Sequence, residues 1–451
     1  MGGFCRRLLG CTRFQRGPGG QLLRGRSGQR TGAKVPSPSG RQSGFPGEQA
    51  GLLCVEIKLG TGGSFMKLVS RRTILGATGA AAICLLAARL AGGQAGLAQK
   101  PQLAEEVFKN VQVLKGIPVD EFMSTMGVFS AALGMSCEDC HAANDSKWEN
   151  YALDTSTRKR TARRMILMMS AINKDNFGGR QMVTCYSCHR GGDHPKVTPN
   201  FSTLYNMPEE PDDVIEQAPG APSPDQVLDR YIQALGGTQR LANLTSFVAR
   251  GTSAGYGPEG DKRPVEIFAK APGQRTTIIH TLNGDSTTTS DGRDGWIAAP
   301  LRPVPVLALT GSSLEGVKLE AELSFPAQIK QALSKWRVGL PATVNDREVQ
   351  VVQGTGAGGA IATLYFDAES GLLVRLLRYS SSVVGRTPTQ IDYADYREVS
   401  GVKMPFRWTV TWLDGKENFE LSEVQPNAPI DVAKFARPSP PTPPPVRPAT
   451  R

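Results

Sequence analysis

The chain has 451 residues, 39% of them hydrophobic, which is enough to build two or three domains with cores of their own. Its formal net charge of +11 comes from residues 1–98, which hold 14 of the 52 Lys and Arg but two of the 41 Asp and Glu. The remainder is close to neutral, so no basic surface and no nucleic-acid partner are predicted.

The N-terminal segment divides into two parts. Residues 1–65 are rich in Gly and Arg and lack helical or strand periodicity, so we interpret them as a mis-called start or a disordered leader. Residues 66–98 begin MKLVSRRTIL, continue through an apolar stretch and end in small residues, which is the layout of a bacterial export signal. The sequence therefore predicts an exported, periplasmic protein, whose signal is either cleaved or kept as an inner-membrane anchor.

Cysteine is concentrated in two short motifs, CEDCH and CYSCH. Eight cysteines are present in the chain. Those after residue 98 are Cys137, Cys140, Cys185 and Cys188. Both motifs have the form Cys-x-x-Cys-His, so every cysteine beyond the predicted signal belongs to one of two matching sites.

The histidine after each cysteine pair decides between three interpretations. A Cys-x-x-Cys pair can bind zinc, exchange disulfides or attach haem through two thioethers. Covalent haem also needs a proximal iron ligand, and His141 and His189 stand where that ligand is required. A zinc ribbon would have closer pairs and would leave both histidines unexplained, while a thioredoxin-like motif would lie in a βαβ unit. The motifs therefore predict two covalently attached c-type haems, with zinc as the alternative.

The stretch before the first motif suggests a second axial ligand for its iron. Apolar residues recur there at helical spacing, and Gly134 ends the predicted helix. The chain can then turn and bring the haem-bearing loop back against the helix face that carries Met126. A thioether opposite imidazole closes the iron to substrates, which favours an electron carrier.

A second predicted helix, TSTRKRTARRMILMMSAIN, precedes the second motif and ends at Gly178-Gly179. It places Met165, Met168 and Met169 on or near one face. Core packing is the alternative role for such a methionine stripe. The position of the helix directly before a haem motif favours ligation.

Residues 105–192 resemble the cytochrome c subunit of photosynthetic reaction centres, which docks on the periplasmic side and re-reduces the photo-oxidised special pair. The similarity lies in NVQVLKGIPVDEFMSTMGVFSAALGMSCEDCH, ARRMILMMSAIN and VTCYSCHRG, in that order. In this family each helix supplies a Met to the haem attached downstream. The resemblance therefore implies Met126 with His141 on the first iron and Met165 with His189 on the second, with the neighbouring Met123, Met168 and Met169 as alternative ligands. Arg163 and Arg164 are predicted to contact haem propionates through bidentate hydrogen bonds, with a solvated helix face as the alternative.

Two departures from the family agree with each other. Well-known members carry four haems, whereas this chain has two motifs, and a family histidine between the second helix and the second motif is absent from KDNFGGRQM. We expect a two-haem relative that passes single electrons between a reaction-centre-like membrane complex and an electron donor, and no enzymatic activity. The alternatives are a two-haem peroxidase and a haem redox sensor coupled to a binding module.

The predicted fold is multidomain, with a mainly α multihaem cytochrome c domain followed by a β-rich domain. We place the haem domain at 99–200, a Pro-rich linker at 201–223, the β-rich domain at 224–437 and a Pro-rich tail at 438–451. The β-rich domain opens with the helical stretch PDQVLDRYIQALGG. Short alternating runs with turns follow it and predict antiparallel hairpins in a curved sheet or half-barrel with helices against it.

Three details of the β-rich domain complete the prediction. SFPAQIKQALSKW, at 324–336, is predicted as a helix against the sheet. GTGAGG, at 354–359, has dinucleotide-loop spacing, but a strand follows it, so a hairpin loop is predicted. His280 is predicted as a strand residue. The pattern is similar to periplasmic lipoprotein-carrier domains, whose half-open β-barrel holds acyl chains, and this similarity implies a lipid or protein ligand.

Overall fold

The structure is a computed structural model. It describes residues 100–141, 148–198, 214–255, 261–300, 302–413 and 415–441. The predicted leader and export signal lie outside the described residues, as do 201–213 of the linker and 442–451 of the tail. All described residues fall within one compact unit.

Short helices dominate the first hundred described residues. In chain order the α-helices of the described chain are α1 (Ala104–Val107), α2 (Val119–Leu133), α3 (Cys137–Cys140), α4 (Thr157–Phe177), α5 (Cys185–His189), α6 (Pro224–Ala234), α7 (Thr238–Asn243), α8 (Gly311–Glu322) and α9 (Ile329–Ala332). Short 3₁₀ helices lie at Trp148–Ala152, Pro326–Gln328 and Val432–Phe435.

The strands follow from residue 246 onward and form one antiparallel sheet. They are β1 (Ser246–Gly255), β2 (Arg263–Lys270), β3 (Gln274–Thr281), β4 (Gly284–Asp291), β5 (Gly295–Ala298), β6 (Val306–Ala308), β7 (Ser334–Val338), β8 (Ala342–Val344), β9 (Arg347–Thr355), β10 (Ile361–Asp367), β11 (Leu373–Ser382), β12 (Gly385–Val399), β13 (Val402–Trp412) and β14 (Gly415–Pro426). Their order is β6-β5-β4-β3-β2-β1-β14-β13-β12-β11-β10-β9-β7, with β8 paired to β9. The predicted antiparallel β-rich domain is confirmed.

Alternation along the strands explains why one face of the sheet is buried. In β14 the side chains of Glu417, Phe419 and Leu421 are buried, whereas the residues between them are exposed. This period of two places successive side chains on opposite faces. The buried face packs against α6, whose Leu228 is fully buried together with Phe366 of β10. The main hydrophobic core therefore lies between the sheet and its helices.

Local capping explains where the key helices begin and end. Ser223 caps α6: its hydroxyl accepts from the backbone N–H of Gln226, and the Gln226 side chain accepts from the Ser223 N–H in return. Helices α2 and α4 both end in a left-handed glycine, Gly134 with φ 64° and Gly178 with φ 61°. Both glycine stops were predicted from the sequence, and both are confirmed.

The predicted helix over SFPAQIKQALSKW is confirmed only in its first part. Only Pro326–Gln328 and Ile329–Ala332 are helical, and Ser334–Val338 instead forms β7, which pairs with β9. Pairing with a free sheet edge therefore outweighs the local helical tendency. The sequence analysis also missed helix α8, whereas the hairpin loop at 356–360 and the strand position of His280 are confirmed.

Candidate haem attachment sites

The first motif is a single helical turn that immediately follows the end of α2. Ser136 and Asp139 cap α3, because Asp139 Oδ2 accepts from the Ser136 N–H and hydroxyl, each at 2.8 Å. The turn brings Cys137 and Cys140, three residues apart, to the same side of the helix. His141 follows as the C-cap in an extended conformation. This is the arrangement that two adjacent thioethers and a proximal ligand require.

The second motif repeats this arrangement on α5. Its N-cap is Thr184, whose hydroxyl accepts from the backbone N–H of Ser187 at 3.4 Å. Cys185 is partly buried, whereas Cys188 is exposed. His189 is the last helical residue, and Arg190 closes the turn in a left-handed conformation with φ 48°. Both motifs are thus single capped helical turns, and they differ in how the turn ends at the histidine.

Both histidines are held by the same hydrogen bond. Nδ1 of His141 lies 2.9 Å from the backbone carbonyl of Tyr151, and Nδ1 of His189 lies 3.0 Å from that of Gly192. A carbonyl can only accept, so each Nδ1 carries a proton, and the neutral ring of this tautomer has its lone pair on Nε2. Metal-bound histidines usually have this second partner, which fixes the tautomer and the direction of the ring.

Burial keeps the first imidazole in the neutral form that binds a metal. The ring of His141 stacks on that of Tyr151, with centroids 4.7 Å apart and 15° between the planes. Desolvation lowers the pKa of His141, with smaller lowering contributions from the charges of Lys159 and Arg163. His141 is therefore neutral at pH 7 and offers its Nε2 lone pair.

The four cysteines differ in their surroundings. Cys137 is 6% exposed and belongs to a buried hydrophobic cluster. Burial raises the pKa of the Cys140 thiol, and it raises that of Cys185 to about 11. These thiols are protonated at neutral pH, so they are not general thiolate nucleophiles.

Two methionines of α2 lie near the first motif. Met123 is 7% exposed and packs in one buried cluster with Cys137. Met126, the predicted ligand, is partly buried and contacts this cluster and a second one, which includes Met169 of α4. Both Met123 and Met126 therefore lie beside the first motif, and the structure leaves the assignment of the ligand a prediction.

The second motif has a buried and an exposed methionine nearby. Cys185 packs against the cluster that contains Met169, which is buried. Met165, the predicted ligand, is 37% exposed and lies one helical turn before Met169, on an adjacent part of the same face. Met168 and Tyr186 are also exposed. Helices α4 and α5 therefore both carry exposed apolar side chains, which is the kind of surface that a bound group could cover.

The two predicted propionate contacts have different surroundings. Arg163 is largely buried, and its Nη1 lies 2.8 Å from Oδ2 of Asp154. The hydrogen bond from Arg163 is the main cause that holds the pKa of Asp154 well below its usual range. Arg164 is exposed, and its Nη2 donates to the hydroxyl of Thr161 at 3.2 Å. Arg163 therefore already has a carboxylate partner, whereas Arg164 is oriented by a weaker, neutral acceptor.

The two motifs are joined directly through the end of α2. The backbone N–H of Gly191, just after the second motif, donates to the carbonyl of Ala132 at 2.9 Å. A Cβ at Gly134 would lie 2.5 Å from the carbonyl oxygen of Gly191, so this approach requires glycine. The helix that leads into the first motif thus also supports the second.

Covalent haem fits these residues better than a shared zinc site. Each motif offers two sulfurs, an imidazole with a free Nε2, and nearby thioethers, which is the donor set of a six-coordinate c-type haem. Cys137 and Cys185 lie in different hydrophobic clusters. A zinc ribbon would instead gather both cysteine pairs around one ion.

Comparison with known proteins agrees with this arrangement. Residues 59–212 match the family described as photosynthetic reaction centre cytochrome C subunit. The resemblance predicted from the sequence is confirmed. The match covers about a third of the chain.

Individual relatives cover only this segment. Reaction center cytochrome c subunits of Thermochromatium tepidum and Roseobacter denitrificans are 38% and 35% identical over 97 residues, which is 21% and 20% of this chain. The match spans 23% and 26% of those relatives, about a quarter of their length. The remaining three quarters of the reaction-centre subunits have no counterpart in these matches.

Solved structures give weaker matches, each to about half of the chain. A lipoprotein-sorting protein domain from Vibrio parahaemolyticus is 12% identical with a TM-score of 0.34, covering 47% of this chain and 94% of its own. A LolA superfamily protein from Nitrosomonas europaea is 15% identical with a TM-score of 0.33, covering 48% of this chain and 98% of its own. Similarity at this level supports no functional argument.

Several contacts of the site could not be found from the sequence. The acceptors for the two histidines are backbone carbonyls, and no residue type marks a carbonyl acceptor. The buried carboxylate of Asp120, which accepts from Thr310, joins residues 190 positions apart. Only the regular helix around Asp120 gave a signal, and it predicted the helix but not the partner.

Proposed function

We propose that this protein is a periplasmic dihaem c-type cytochrome that transfers single electrons between a membrane redox complex and an electron donor. The observation that carries the proposal is the repeated hydrogen bond from histidine Nδ1 to a backbone carbonyl, directly after each Cys-x-x-Cys pair. When bound, each haem supplies an iron that changes oxidation state by one electron. The role proposed for the protein itself is to hold and orient the haems.

The protein's own residues hold and enclose the haem. Cys137 and Cys140 would anchor one porphyrin, and Cys185 and Cys188 would anchor the other. His141 and His189 would offer Nε2 to the iron, because their Nδ1 protons are held by carbonyls. Methionines of α2 and α4 would supply thioether ligands, with Met126 and Met165 as the proposed pair. A thioether ligand raises the reduction potential and blocks substrate access, which suits a carrier.

The close packing of the two motifs supports electron exchange between the haems. Helix α2 ends beside the first motif and is hydrogen-bonded through Ala132 to Gly191 beside the second. The partner complex is proposed to be similar to a reaction centre, in agreement with the family. No helix among the described residues combines the length and the apolar character needed to cross a membrane.

A cavity in the β-rich domain is a candidate site for the lipid or protein ligand that the sequence predicts. A cavity of about 90 Å³ lies between the sheet and its helices, and apolar side chains make up most of its lining, together with Arg275 and Glu320. The guanidinium of Arg275 donates to the hydroxyl of Ser324 at 2.6 Å. Ligand pockets usually measure about 300–1,000 Å³, so this cavity is too small for a lipid chain as it stands.

The test is to measure haem content and visible spectra of the periplasmically matured protein. Pyridine-haem quantification should give two haems per chain, and a thioether-to-iron band should be lost in steps in Met126→Ala and Met165→Ala. Met123→Ala and Met169→Ala are matched controls, because they remove buried methionines next to the same motifs. They should lose stability, by about 2–5 kcal/mol, but keep the band.

The alternatives predict different results. One haem per chain, or zinc in place of haem, would overturn the dihaem proposal. High-spin iron in the wild-type protein would move the peroxidase hypothesis forward, because a peroxidase needs an open or displaceable ligand position. Loss of the band in a control variant and not in its partner would transfer the ligand role to that control methionine.

A further inference from the structure

Two separate parts of the β-rich domain reach the cytochrome segment. One is β6 with the loop before it, which contacts the first motif. The other is Val383-Val384, the two-residue tip of the hairpin that joins β11 to β12, which contacts the helices of the second motif. The two contacts come from distant parts of the sheet, and each meets a different motif.

The first contact encloses Cys137 from the side of the β-rich domain. Its cluster consists of the buried residues Val119, Met123, Cys137, Val304 and Leu307. Val304 and Leu307 belong to the β-rich domain and are 8% and 6% exposed. The β-rich domain thus covers the α2 face that carries the candidate ligands.

A buried carboxylate links α2 to the β-rich domain. The side chain of Asp120 is 4% exposed and accepts from the backbone N–H of Thr310 at 2.7 Å and from its hydroxyl at 2.8 Å. A buried carboxylate is stable only when such donors satisfy it. Asp120 lies one helical turn before Met123, so its bonds to Thr310 set the position of this part of α2.

The second contact is the hairpin tip. Val384 is fully buried and packs with Val128 of α2 and with Ile166 and Met169 of α4, in the cluster that Cys185 also contacts. The carbonyl of Ser382, next to the tip, accepts from Gln181 Nε2 at 3.0 Å. A two-residue hairpin loop usually carries polar or glycine residues. Two valines there are explained by burial against the cytochrome segment.

We propose that the β-rich domain forms one wall of each haem pocket and so sets the reduction potentials of both haems. Thr310 is the positioning residue for the first haem, through Asp120, and Val384 is the positioning residue for the second. The inference rests on the proposed function, since it requires haem at both motifs. Burial and the orientation of axial ligands are the means by which a protein tunes haem iron.

The test is a spectroelectrochemical titration of the haem-loaded full chain. To assign each reduction potential to one haem, it is also measured in a variant in which the cysteines of the other motif are replaced by alanine. Thr310→Val removes one donor to Asp120 and should shift the potential of the first haem only. Val384→Ala should lower the potential of the second haem, because a more polar surrounding favours the charged, oxidised form, and should change that of the first haem less, although Met126 also contacts this cluster. Val384→Thr, which keeps the side-chain shape, should shift the potential of the second haem in the same direction.

Two matched controls separate positioning from general destabilisation. Val349→Ala removes a valine that is also fully buried, in a different cluster of the sheet, and Thr289→Val removes a buried hydroxyl within the sheet. Both should leave the two potentials unchanged.

The failures of the two proposals are distinguishable. If the wild type carries two haems but Thr310→Val, Val384→Ala and Val384→Thr leave both potentials unchanged, the wall proposal is overturned and the cytochrome proposal stands. Equal shifts in the control variants would overturn it too, since the effect would then be nonspecific. Absence of covalent haem from the wild type would overturn both.

Discussion

The junction between the two motifs makes a quantitative prediction about a pair of glycines. Gly134 and Gly178 end α2 and α4 in nearly the same left-handed conformation, with φ 64° and 61°. An alanine in this conformation costs about 1–2 kcal/mol relative to glycine. Their surroundings differ, because a Cβ at Gly178 meets no atom within 4 Å, whereas one at Gly134 lies 2.5 Å from the carbonyl oxygen of Gly191.

The extra cost at Gly134 follows from this contact. The separation is about 1 Å short of ordinary van der Waals contact, and a backbone oxygen cannot rotate away as a side chain can. Moving Gly191 would break its hydrogen bond to Ala132, which contributes about 1 kcal/mol. We therefore expect Gly178→Ala to lower the free energy of unfolding by about 1–2 kcal/mol and Gly134→Ala by about 3 kcal/mol.

Urea unfolding of the haem-loaded protein measures both changes, through midpoints compared at an unchanged slope. Gly134→Ala should also perturb the spectrum of the second haem, because Gly191 lies two residues after His189. Gly178→Ala should leave the spectrum of that haem closer to wild type. Equal destabilisation of the two variants would refute the reasoning, since it would mean that the approach of α2 to the second motif contributes nothing.

Three further predictions concern single residues. Arg263 lies 2.6 Å from the buried Glu417, and burial raises the pKa of Glu417. Arg263→Gln should lower the free energy of unfolding by about 3–5 kcal/mol at pH 7 and by less near pH 4, where Glu417 gains a proton. A loss that urea unfolding shows to be independent of pH would contradict this. Because the pKa of Asp154 is lowered in the folded state, its carboxylate stabilises the fold above pH 4, and this stabilisation is lost on further acidification. Acid unfolding of Asp154→Asn should therefore depend less on pH than that of the wild type, and identical acid-unfolding curves would contradict the prediction. Gly251→Ala should lower the free energy of unfolding by more than about 2 kcal/mol, because its Cβ would lie 2.1 Å from a β14 carbonyl oxygen. An unchanged thermal unfolding curve would refute this and would mean that the β-bulge between β1 and β14 at this position adapts.

Features with a local cause could be predicted from the sequence. The glycine stops after α2 and α4 need only a residue that tolerates positive φ, and the hairpin loop at 356–360 needs only its glycines and the strand that follows. The haem prediction for the two motifs also has a local basis, because two cysteines and a histidine at fixed spacing have one main chemical use. In each case a short stretch of chain contains the whole physical reason.

Features that depend on partners distant in the sequence could not be predicted. Residues 334–338 form β7 because the edge of β9 is available to pair with them, and the sequence of that stretch does not reveal this edge. The methionine stripe of α4 shows the same limit. Its periodicity predicts a face, but the placement of Met169 against Cys185 and the exposure of Met165 depend on how α4 lies against the rest of the fold.

The hairpin tip at Val383-Val384 shows how such a contact could have been found. Ser382 and Gly385 frame it, and the Ser382 hydroxyl donates to the Gly385 carbonyl at 2.7 Å, so the turn itself is closed by polar groups. The valine side chains add nothing to that closure and would expose apolar surface at the end of an isolated hairpin. Their presence is explained if the tip is buried. Helices α2 and α4 provide the cover, so the hairpin tip packs in one hydrophobic cluster with the helices that precede the two Cys-x-x-Cys-His motifs.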